Sequence, residues 1–494
     1  MSRTGQKEEV GRTEVCRKPE LLLSAIVALG CVMAFWLAAI RVALPYQLDY
    51  EEGNILNAAV RITRGDTPYP PPGEAVYILN PYGPLFYELV AGLVKWFGVG
   101  FIYPRLLVVF SGVLIALLLA LCLHRWTGSW TLGLTFGFIY LSLPIVRHWL
   151  FLLRVDLVGI TFALAGLYFF LASARGAYLS VLLFLAALFC KYTLVAAPGA
   201  CVLFLLARKE WRKAAWFATS IVLPAILLFA CAQYTTRKWF GFHMFWMHSD
   251  PFSLVKYASV FTLAIFIHLP LVLLAVVAAT RRLSPRPALL ALIYLGFCSV
   301  SVLTIGKGGS VDNHLLEWLA ALCLCAGLGY HFLRTRPEQT RAAALASVAL
   351  AVFVLVNLPR GIGPDPKRAE CSQAYAYVRN HPGQRILSEN VGALVLAGKP
   401  ILISNPFLYA QLVRRSGWSD RALVGLIRSN YFEAIILDGN INYLRHKASD
   451  VAAANSRWPI SFVDALERSY RPARRFVCEE ANVAFEPALS LPAQ

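Results

Sequence analysis

Three carboxylates stand together just after the first apolar run, in the segment LPYQLDYEEGNILNAAVRITRGDTPYPPP. Asp49, Glu51 and Glu52 fall within four residues. A helix dipole favours acidic residues at a helix N-terminus, so a solvated helix start is one interpretation. The other is a positioned carboxylate that acts as a general base or binds a metal ion. The residues alone leave both interpretations open.

Basic residues stand at the ends of later apolar runs. Arg147 and Arg154, with His148 and Asp156, surround the turn between two runs, and Lys191 ends another. Ionisable residues at membrane depth are costly and indicate function by default. Cations that converge on one face suit a phosphate or diphosphate, whose oxygens Arg matches in pairs. Arg154, Asp156 and Lys191 lack a neighbouring basic cluster, which favours function over snorkelling to the headgroups.

Two later loops add candidate residues for binding an acceptor or a metal ion. These are His248 and Asp250, within FWMHSDPFS, and Asn313, His314 and Glu317, within VDNHLLE. No HExxH motif occurs, and the five-residue spacing of His243 and His248 is a weak metal signal. Lys307, taken singly, is expected to snorkel to the headgroups. The pattern leaves a divalent metal open and assigns no ligand set.

The elements that must position these residues belong to a membrane protein. Of 494 residues, 58% are apolar and only 15% are charged, with a mean hydropathy of +0.59. Soluble chains carry about a quarter charged residues, and disordered chains are poor in apolar ones. The net charge of +18 fits basic cytoplasmic loops, and no basic run interleaved with aromatic residues points to nucleic acid. The composition therefore predicts a polytopic α-helical membrane protein that binds no nucleic acid.

Eleven apolar runs approach the length of a membrane span. The first, Leu21 to Ile40, follows a basic tail and is too long for a signal peptide. The segment 82–97 is short and carries Glu88 and Lys95. A crossing there would move three basic clusters outside, against the positive-inside rule, so we expect an amphipathic helix at the outer interface. The segment 82–97 is therefore not counted among the eleven runs. The ten that follow Leu21 to Ile40 are 103–123, 130–146, 155–174, 177–190, 193–207, 214–233, 256–279, 287–304, 314–333 and 342–358.

The composition changes after residue 359. Short β-rich runs (RILSE, KPILIS, EAIILDG and RRFVCEE) alternate with helical patterns at 371–380, 406–416, 420–429 and 460–469. This alternation predicts a small α/β domain. Cys371 and Cys478 could form a disulfide there if the domain lies outside the membrane. The predicted organisation is a cytoplasmic basic tail (1–19), a transmembrane domain (20–359) whose first outer loop is 45–102, and an extracytoplasmic domain (360–494).

The order and spacing of these segments resemble the GT-C superfamily of membrane glycosyltransferases. The resemblance is to its family-39-like branch, with the protein O-mannosyltransferases and the lipid A aminoarabinose transferase. It covers nearly the whole membrane half. The segments that carry it are LDYEEGNILNAAVRITRGDTPY, YGPLFYELVAGLVKWFG, LLRVDLVGITFALAGLYFF, CKYTLVAAPGACVLFLLARKEWR, the HSDPFS loop and VDNHLLEWLAAL.

The resemblance implies transfer of a sugar from a polyprenyl phosphate donor to a glycan, lipid or protein acceptor. The reaction would take place on the outer face of a multi-pass protein, in a bacterial inner membrane. The base in such enzymes is an acidic residue of the first outer loop, best matched by Asp49. The family often has an Asp–Glu pair there, so Glu51 and Glu52 remain alternatives. Lys191 matches a position that meets the donor phosphate, and Arg154 matches a second.

The residue chemistry agrees with this implication. A polyprenyl phosphate departs with a negative charge, which fixed cations stabilise without an acid. A carboxylate accepts the proton of the attacking group, and attack opposite the leaving group inverts the anomeric carbon. A transporter or flippase of an anionic or lipid-linked solute would use the same cations for binding alone. A ligase of lipid-linked oligosaccharides would need a larger late outer loop than this chain has.

Overall fold

The chain folds into a helical part and a small α/β domain. The computed structural model describes residues 3–171, 174–248, 251–280, 285–359, 368–415, 418–449, 457–477 and 481–488. Helices fill the chain up to residue 359, and a four-stranded sheet with surrounding helices follows from residue 368. The predicted fold class, a polytopic helical protein with a C-terminal α/β domain, is therefore confirmed.

Sixteen α-helices are described in the helical part. They are α1 (Arg3–Val42), α2 (Tyr50–Thr63), α3 (Pro84–Phe97), α4 (Ile102–Thr127), α5 (Trp130–Ser142), α6 (Pro144–Trp149), α7 (Val155–Phe170), α8 (Ala174–Cys190), α9 (Ala196–Ala207), α10 (Trp211–Thr235), α11 (Trp239–Met244), α12 (Leu254–Ile267), α13 (Leu269–Thr280), α14 (Pro285–Ser301), α15 (Leu316–Thr335) and α16 (Thr340–Val356). Each of the eleven predicted apolar runs is helical. The run 256–279 forms the pair α12 and α13, and the run 130–146 forms α5 and the start of α6.

Not every run is long enough to cross a membrane by itself. Six described helices have the length and composition of a span, and the α12–α13 pair, bent by 86°, would make a seventh. The helices α5, α7, α8 and α9 have only 10–17 described residues. A 12-residue helix such as α9 rises about 18 Å, against about 30 Å for the hydrocarbon core. The structure therefore confirms several apolar spans, while the count of eleven crossings stays a prediction.

The two ends of α1 lie against different parts of the helical domain. Near its start, Glu20 pairs with Arg334 of α15 at 3.0 Å. At its other end, the carbonyl oxygen of Leu44 accepts a hydrogen bond from Arg105 of α4. These contacts are about 33 Å apart along the helix, because each residue adds about 1.5 Å. The basic end of α15 therefore shares a face with the early part of α1, and the first outer loop lies at the opposite face.

The loop 45–102, which is predicted to lie outside the membrane, contains two helices. Asp49 is the N-cap of α2 and accepts a hydrogen bond from the Glu51 amide. At the other end of α2, Gly65 ends the turn that follows the helix, with a φ of +84°. The helix α2 is buried on all sides from residue 51 to residue 60, so the solvated helix start, one of the two interpretations of the three carboxylates, does not describe Glu51 and Glu52. The predicted helix at 82–97 is present as α3, whose Trp96 is 83% exposed. The outer loop is thus partly a core element.

The C-terminal domain is built on one mixed sheet. Its strands are β1 (Ile386–Ser388), β2 (Ala434–Asp438), β3 (Tyr470–Val477) and β4 (Ala481–Pro487), in the order β1-β2-β4-β3. The β1–β2 pair is parallel, and β4 runs antiparallel to both of its neighbours. The helices around it are α17 (Arg368–Asn380), α18 (Val391–Leu396), α19 (Pro406–Arg415), α20 (Arg421–Arg428), α21 (Ile441–Ser449) and α22 (Ile460–Ser469). Separate apolar clusters pack around the sheet.

One predicted strand of this domain was wrong. The run KPILIS does not enter the sheet; its Ile403 instead forms a parallel bridge with Tyr77 of the first outer loop. The sequence reading also missed β4, α18 and α21. Of the two cysteines in the predicted disulfide, Cys371 is disulfide-bonded. The other, Cys478, lies outside the described residues.

Candidate active site

The start of α2 directs its neighbouring carboxylates into different surroundings. Glu52 is fully buried and accepts hydrogen bonds from Nε of Arg105 at 2.8 Å and from Nη2 at 2.6 Å. It also accepts from the backbone amides of Leu48 at 2.5 Å and Leu153 at 2.7 Å. Four donors therefore occupy both oxygens of this carboxylate, which has no exposed surface for a substrate.

Arg105, the partner of Glu52, was not among the candidate residues predicted from the sequence. Its guanidinium also donates to the carbonyl oxygens of Leu44 at 2.7 Å and Tyr46 at 2.6 Å, and it lies over the ring of Phe101. It is fully buried in the first turn of α4. A single arginine at the start of a long apolar run was the available signal, because a charge there needs a partner. Which partner it has could be seen only in the structure.

Glu51 has a different environment. Its side chain is 2% exposed and lines a cavity, and its two oxygens accept hydrogen bonds from the side-chain amides of Asn54, at 3.2 Å, and Asn405. Burial raises the pKa of Glu51 to about 7, although the nearby Arg154 cation acts against that rise. A carboxyl with this pKa can take up and release a proton near neutral pH.

Arg154 stands at the N-cap of α7, beside the start of α2. Its Nη1 lies 3.2 Å from a carboxylate oxygen of Asp49, and its guanidinium lies over the rings of Tyr50 and Trp149. Among the described residues, its Nε has no hydrogen-bond acceptor. The aromatic rings and Asp49 therefore hold the guanidinium in place while leaving it with donor capacity.

Asp156 and Lys191 form the second charged pair of the site. The Lys191 ammonium lies 2.5 Å from Oδ1 of Asp156, and the Asn313 side-chain amide donates to the same oxygen at 3.0 Å. The other Asp156 oxygen is buried and has no hydrogen-bond partner within the described parts of the chain. Residues from α7, from the end of α8 and from the 3₁₀ turn at Asp312–Leu315 thus converge at this charged pair.

A cavity of about 870 Å³, including its open mouth, joins these groups. The loop 307–311 and residues 405–408 of the C-terminal domain complete its wall. Lys307, which we expected at the headgroups, instead lines the cavity. The charged and aromatic lining residues are Glu51, Arg154, Lys191, Lys307, His314, Tyr50, Tyr82, Tyr192 and Phe407.

Two of the remaining candidates, His314 and Glu317, lie at a second, smaller cavity, and His314 lines the larger cavity as well. The Nδ1 of His314 is 2.7 Å from the hydroxyl of Thr304. Glu317, one turn deeper, accepts a hydrogen bond from Tyr294 at 3.1 Å. Both line a smaller cavity of about 320 Å³ that also borders Asp156. Polar side chains therefore line both the larger cavity and the smaller one beside it.

Other candidates are not part of the cavity. Arg147 donates to the carbonyl oxygen of Ser142 at 2.9 Å and does not line the cavity. The His248 side chain and Asp250 lie outside the described residues. His243 is buried between the Asn80 amide and the Pro70 carbonyl oxygen, and burial lowers its pKa to about 4. Within the described ranges, no three His, Cys, Asp or Glu side chains converge as metal ligands do.

Comparison with known proteins shows which solved structures share this architecture. No protein-family model matches the chain, and no curated protein sequence does. Among solved structures, it resembles ArnT from Cupriavidus metallidurans bound to undecaprenyl phosphate, with a TM-score of 0.63 and 13% identity, over 95% of this chain and 99% of that chain. It also resembles the Archaeoglobus fulgidus oligosaccharyltransferase, with a TM-score of 0.56 and 10% identity, over 94% of this chain and 74% of that chain. The expected GT-C fold is therefore confirmed.

Proposed function

From a GT-C fold whose outer-loop cavity joins one carboxylate to three cations, we propose an integral-membrane glycosyltransferase. It would move a sugar from a polyprenyl phosphate donor to an acceptor. The observation that carries this proposal is the convergence of Glu51, Arg154 and Lys191 on one cavity. The solved neighbours support the lipid class, since one holds undecaprenyl phosphate and another, the archaeal AglB, holds a dolichol phosphate.

The donor phosphate would lie between Arg154 and Lys191. The carboxylates of Asp49 and Asp156 hold these cations in place, at 3.2 Å and 2.5 Å. Fixed cations stabilise the charge that develops on a departing phosphate and need no reorganisation during the reaction. Lys307, on the opposite loop, adds a third positive charge to the cavity wall. The leaving group therefore departs as an anion, without a proton from an acid.

The proposed base is Glu51. Its carboxylate lines the cavity, and its pKa of about 7 suits proton acceptance near neutral pH. Asp49, the better match by resemblance, caps α2 and pairs with Arg154 instead, so it is the alternative. Glu52, whose oxygens are occupied by Arg105 and two backbone amides, would hold the loop in shape. Attack by the deprotonated acceptor opposite the phosphate would invert the anomeric carbon.

The proposed orientation follows the basic residues. The Glu20–Arg334 end of the bundle would face the cytoplasm, because lysine and arginine collect there. The cavity and the C-terminal domain would then lie outside, in the envelope of a bacterium. The exposed Trp96 of α3 fits the interface, where aromatic rings anchor. The polyprenyl chain would enter from the surrounding lipid.

The test is sugar release from a radiolabelled pool of polyprenyl phosphate sugars by the purified protein. We expect Glu51→Gln to bind donor but transfer sugar about 10²- to 10⁴-fold more slowly, the usual contribution of a general base. Glu88→Gln, which changes an exposed carboxyl of the same outer loop, is the matched control and should keep the wild-type rate.

The Asp49→Asn variant separates the two candidate bases. If it abolishes transfer while Glu51→Gln transfers normally, the base is Asp49. If all variants bind donor and none of them, nor the wild type, releases sugar with any acceptor tried, the cations serve binding alone. Flux of donor lipid across liposomes would then identify a transporter.

A further inference from the structure

A short segment of the C-terminal domain runs beside the first outer loop. The Tyr77 amide donates to the Leu402 carbonyl oxygen at 2.6 Å, and the Ser404 amide donates back to the Tyr77 carbonyl oxygen at 3.0 Å. The Leu79 amide donates to the Ser404 hydroxyl at 2.8 Å. This two-sided bridge is buried, and it places the next residue, Asn405, against α2. The position of Asn405 is therefore set by backbone pairing between the two parts of the protein.

The orientation of the Asn405 amide is also determined. Its Oδ1 accepts a hydrogen bond from the Leu408 amide at 3.0 Å, in the first turn of α19. Its Nδ2 must then point the other way, where it donates to Oε1 of Glu51. Asn54 of α2 donates to Oε2 of the same carboxylate and to the Leu79 carbonyl oxygen. One amide from each part of the protein thus holds the two oxygens of Glu51.

We infer that Asn405 is a positioning residue for the base, so that the C-terminal domain completes the catalytic cavity. This inference rests on the proposed function, in which Glu51 accepts the proton of the acceptor. A donor on one carboxylate oxygen favours the ionised form and fixes the direction of the other lone pairs. The domain therefore contributes to the chemistry from 354 residues away, in addition to covering the cavity.

Two variants distinguish the hydrogen bond that Asn405 donates to Glu51 from the one that it accepts at the start of α19. Asn405→Asp keeps an oxygen that can cap α19 but loses the donor and adds a like charge beside Glu51. Asn405→Ala loses both the donor and the cap. Asn380→Ala changes an exposed asparagine of the same domain, at the end of α17, and is the matched control. Thermal melting in detergent shows whether each variant is folded.

The first readout is the pH dependence of kcat/KM for sugar transfer. We expect the acid limb to move upward by about one to two pH units in Asn405→Ala, since a hydrogen bond to a charged group has that value. It should move further in Asn405→Asp, because of the added charge. A merely structural role would lower kcat/KM at every pH and leave the limb where it is.

The second readout does not need activity. An infrared titration follows the protonated carboxyl band that Glu51→Gln removes, and its midpoint should rise in both Asn405 variants. If the wild type transfers no sugar and yet the midpoint rises, the proposed function fails and the Asn405–Glu51 pairing stands. If the midpoint and the acid limb match those of the wild type in both variants, the inference is overturned, whatever the activity.

Discussion

Adjacent carboxylates at the start of α2 belong to two differently built regions. In the Arg105 cluster, formed by Glu52, Arg105 and the carbonyl oxygens of Leu44 and Tyr46, the Glu52 carboxylate has four donors. The cavity cluster is formed by Glu51, Arg154, Asp156 and Lys191. There the buried Nε of Arg154 and Oδ2 of Asp156 have no hydrogen-bond partner among the described residues. The first region is closed to water, and the second borders a cavity.

The number of hydrogen bonds that each charged group makes indicates which charges are available to a ligand. A buried charge that is fully hydrogen-bonded has no capacity left, and removing one partner leaves the other charge unpaired. A buried polar atom without a partner is unusual and needs an explanation, such as a bound ligand or a catalytic role. Similar residue types therefore stabilise the fold in one region and could act on a substrate in the other.

The largest effect is expected from Arg105→Ala. It would leave the Glu52 carboxylate buried and uncompensated, at a cost of about 3–5 kcal/mol of stability. Thermal melting in detergent measures the loss, and Arg64→Ala, an exposed arginine just after α2, is the control, expected within about 0.5 kcal/mol of the wild type. An unchanged melting temperature for Arg105→Ala would mean that the Arg105 cluster is not a structural unit.

A somewhat smaller effect, on catalysis, is expected from Lys191→Ala. Loss of one fixed cation at the departing phosphate should lower kcat by about 10²- to 10³-fold. Lys191→Arg keeps the charge and should retain more of the rate, and Lys95→Ala, at an exposed position of α3, is the control. The rate of sugar release at saturating donor gives the answer. A wild-type kcat in Lys191→Ala would remove this residue from the cavity's chemistry.

The smallest expected effect is on the free energy of unfolding, and it should distinguish Glu51 from Glu52. The folded pKa of Glu51, about 7, is above its ordinary value of 4.5, so the folded state binds more protons between these pH values. Stability from this group is therefore present below about pH 4.5 and is lost as pH rises through 7. At pH 8, Glu51→Gln should be more stable than the wild type, by at most on the order of 3 kcal/mol.

Melting temperatures at pH 4.5 and pH 8 check this expectation. The gap between Glu51→Gln and the wild type should open only at the higher pH. Glu52→Gln should melt below the wild type at pH 8, because Arg105 loses its partner. If both glutamine variants shift the melting temperature in the same direction at pH 8, the two regions do not differ in the way their hydrogen bonds indicate.

Much of the fold could be predicted from local patterns. Apolar runs located the helices of the membrane part, and the start of α2 and the helix at 84–97 were expected from their residues. Helix lengths were less predictable, since an apolar run does not show where packing will break it, as at the bend between α12 and α13. The segment KPILIS has strand-like residues, but its Ile403 pairs with Tyr77 instead of entering the sheet.

Composition and apolar runs were sufficient to predict a helical, membrane-embedded protein with carboxylates and cations at the ends of those runs. The surroundings of these groups could be seen only in the folded chain, where Glu52 pairs with Arg105, and Glu51 lines the cavity with Asn405 beside it. Periodicity and composition act between near neighbours, and they specify the elements. Whether a charge is partnered or free depends on groups brought together from distant positions, which packing alone arranges.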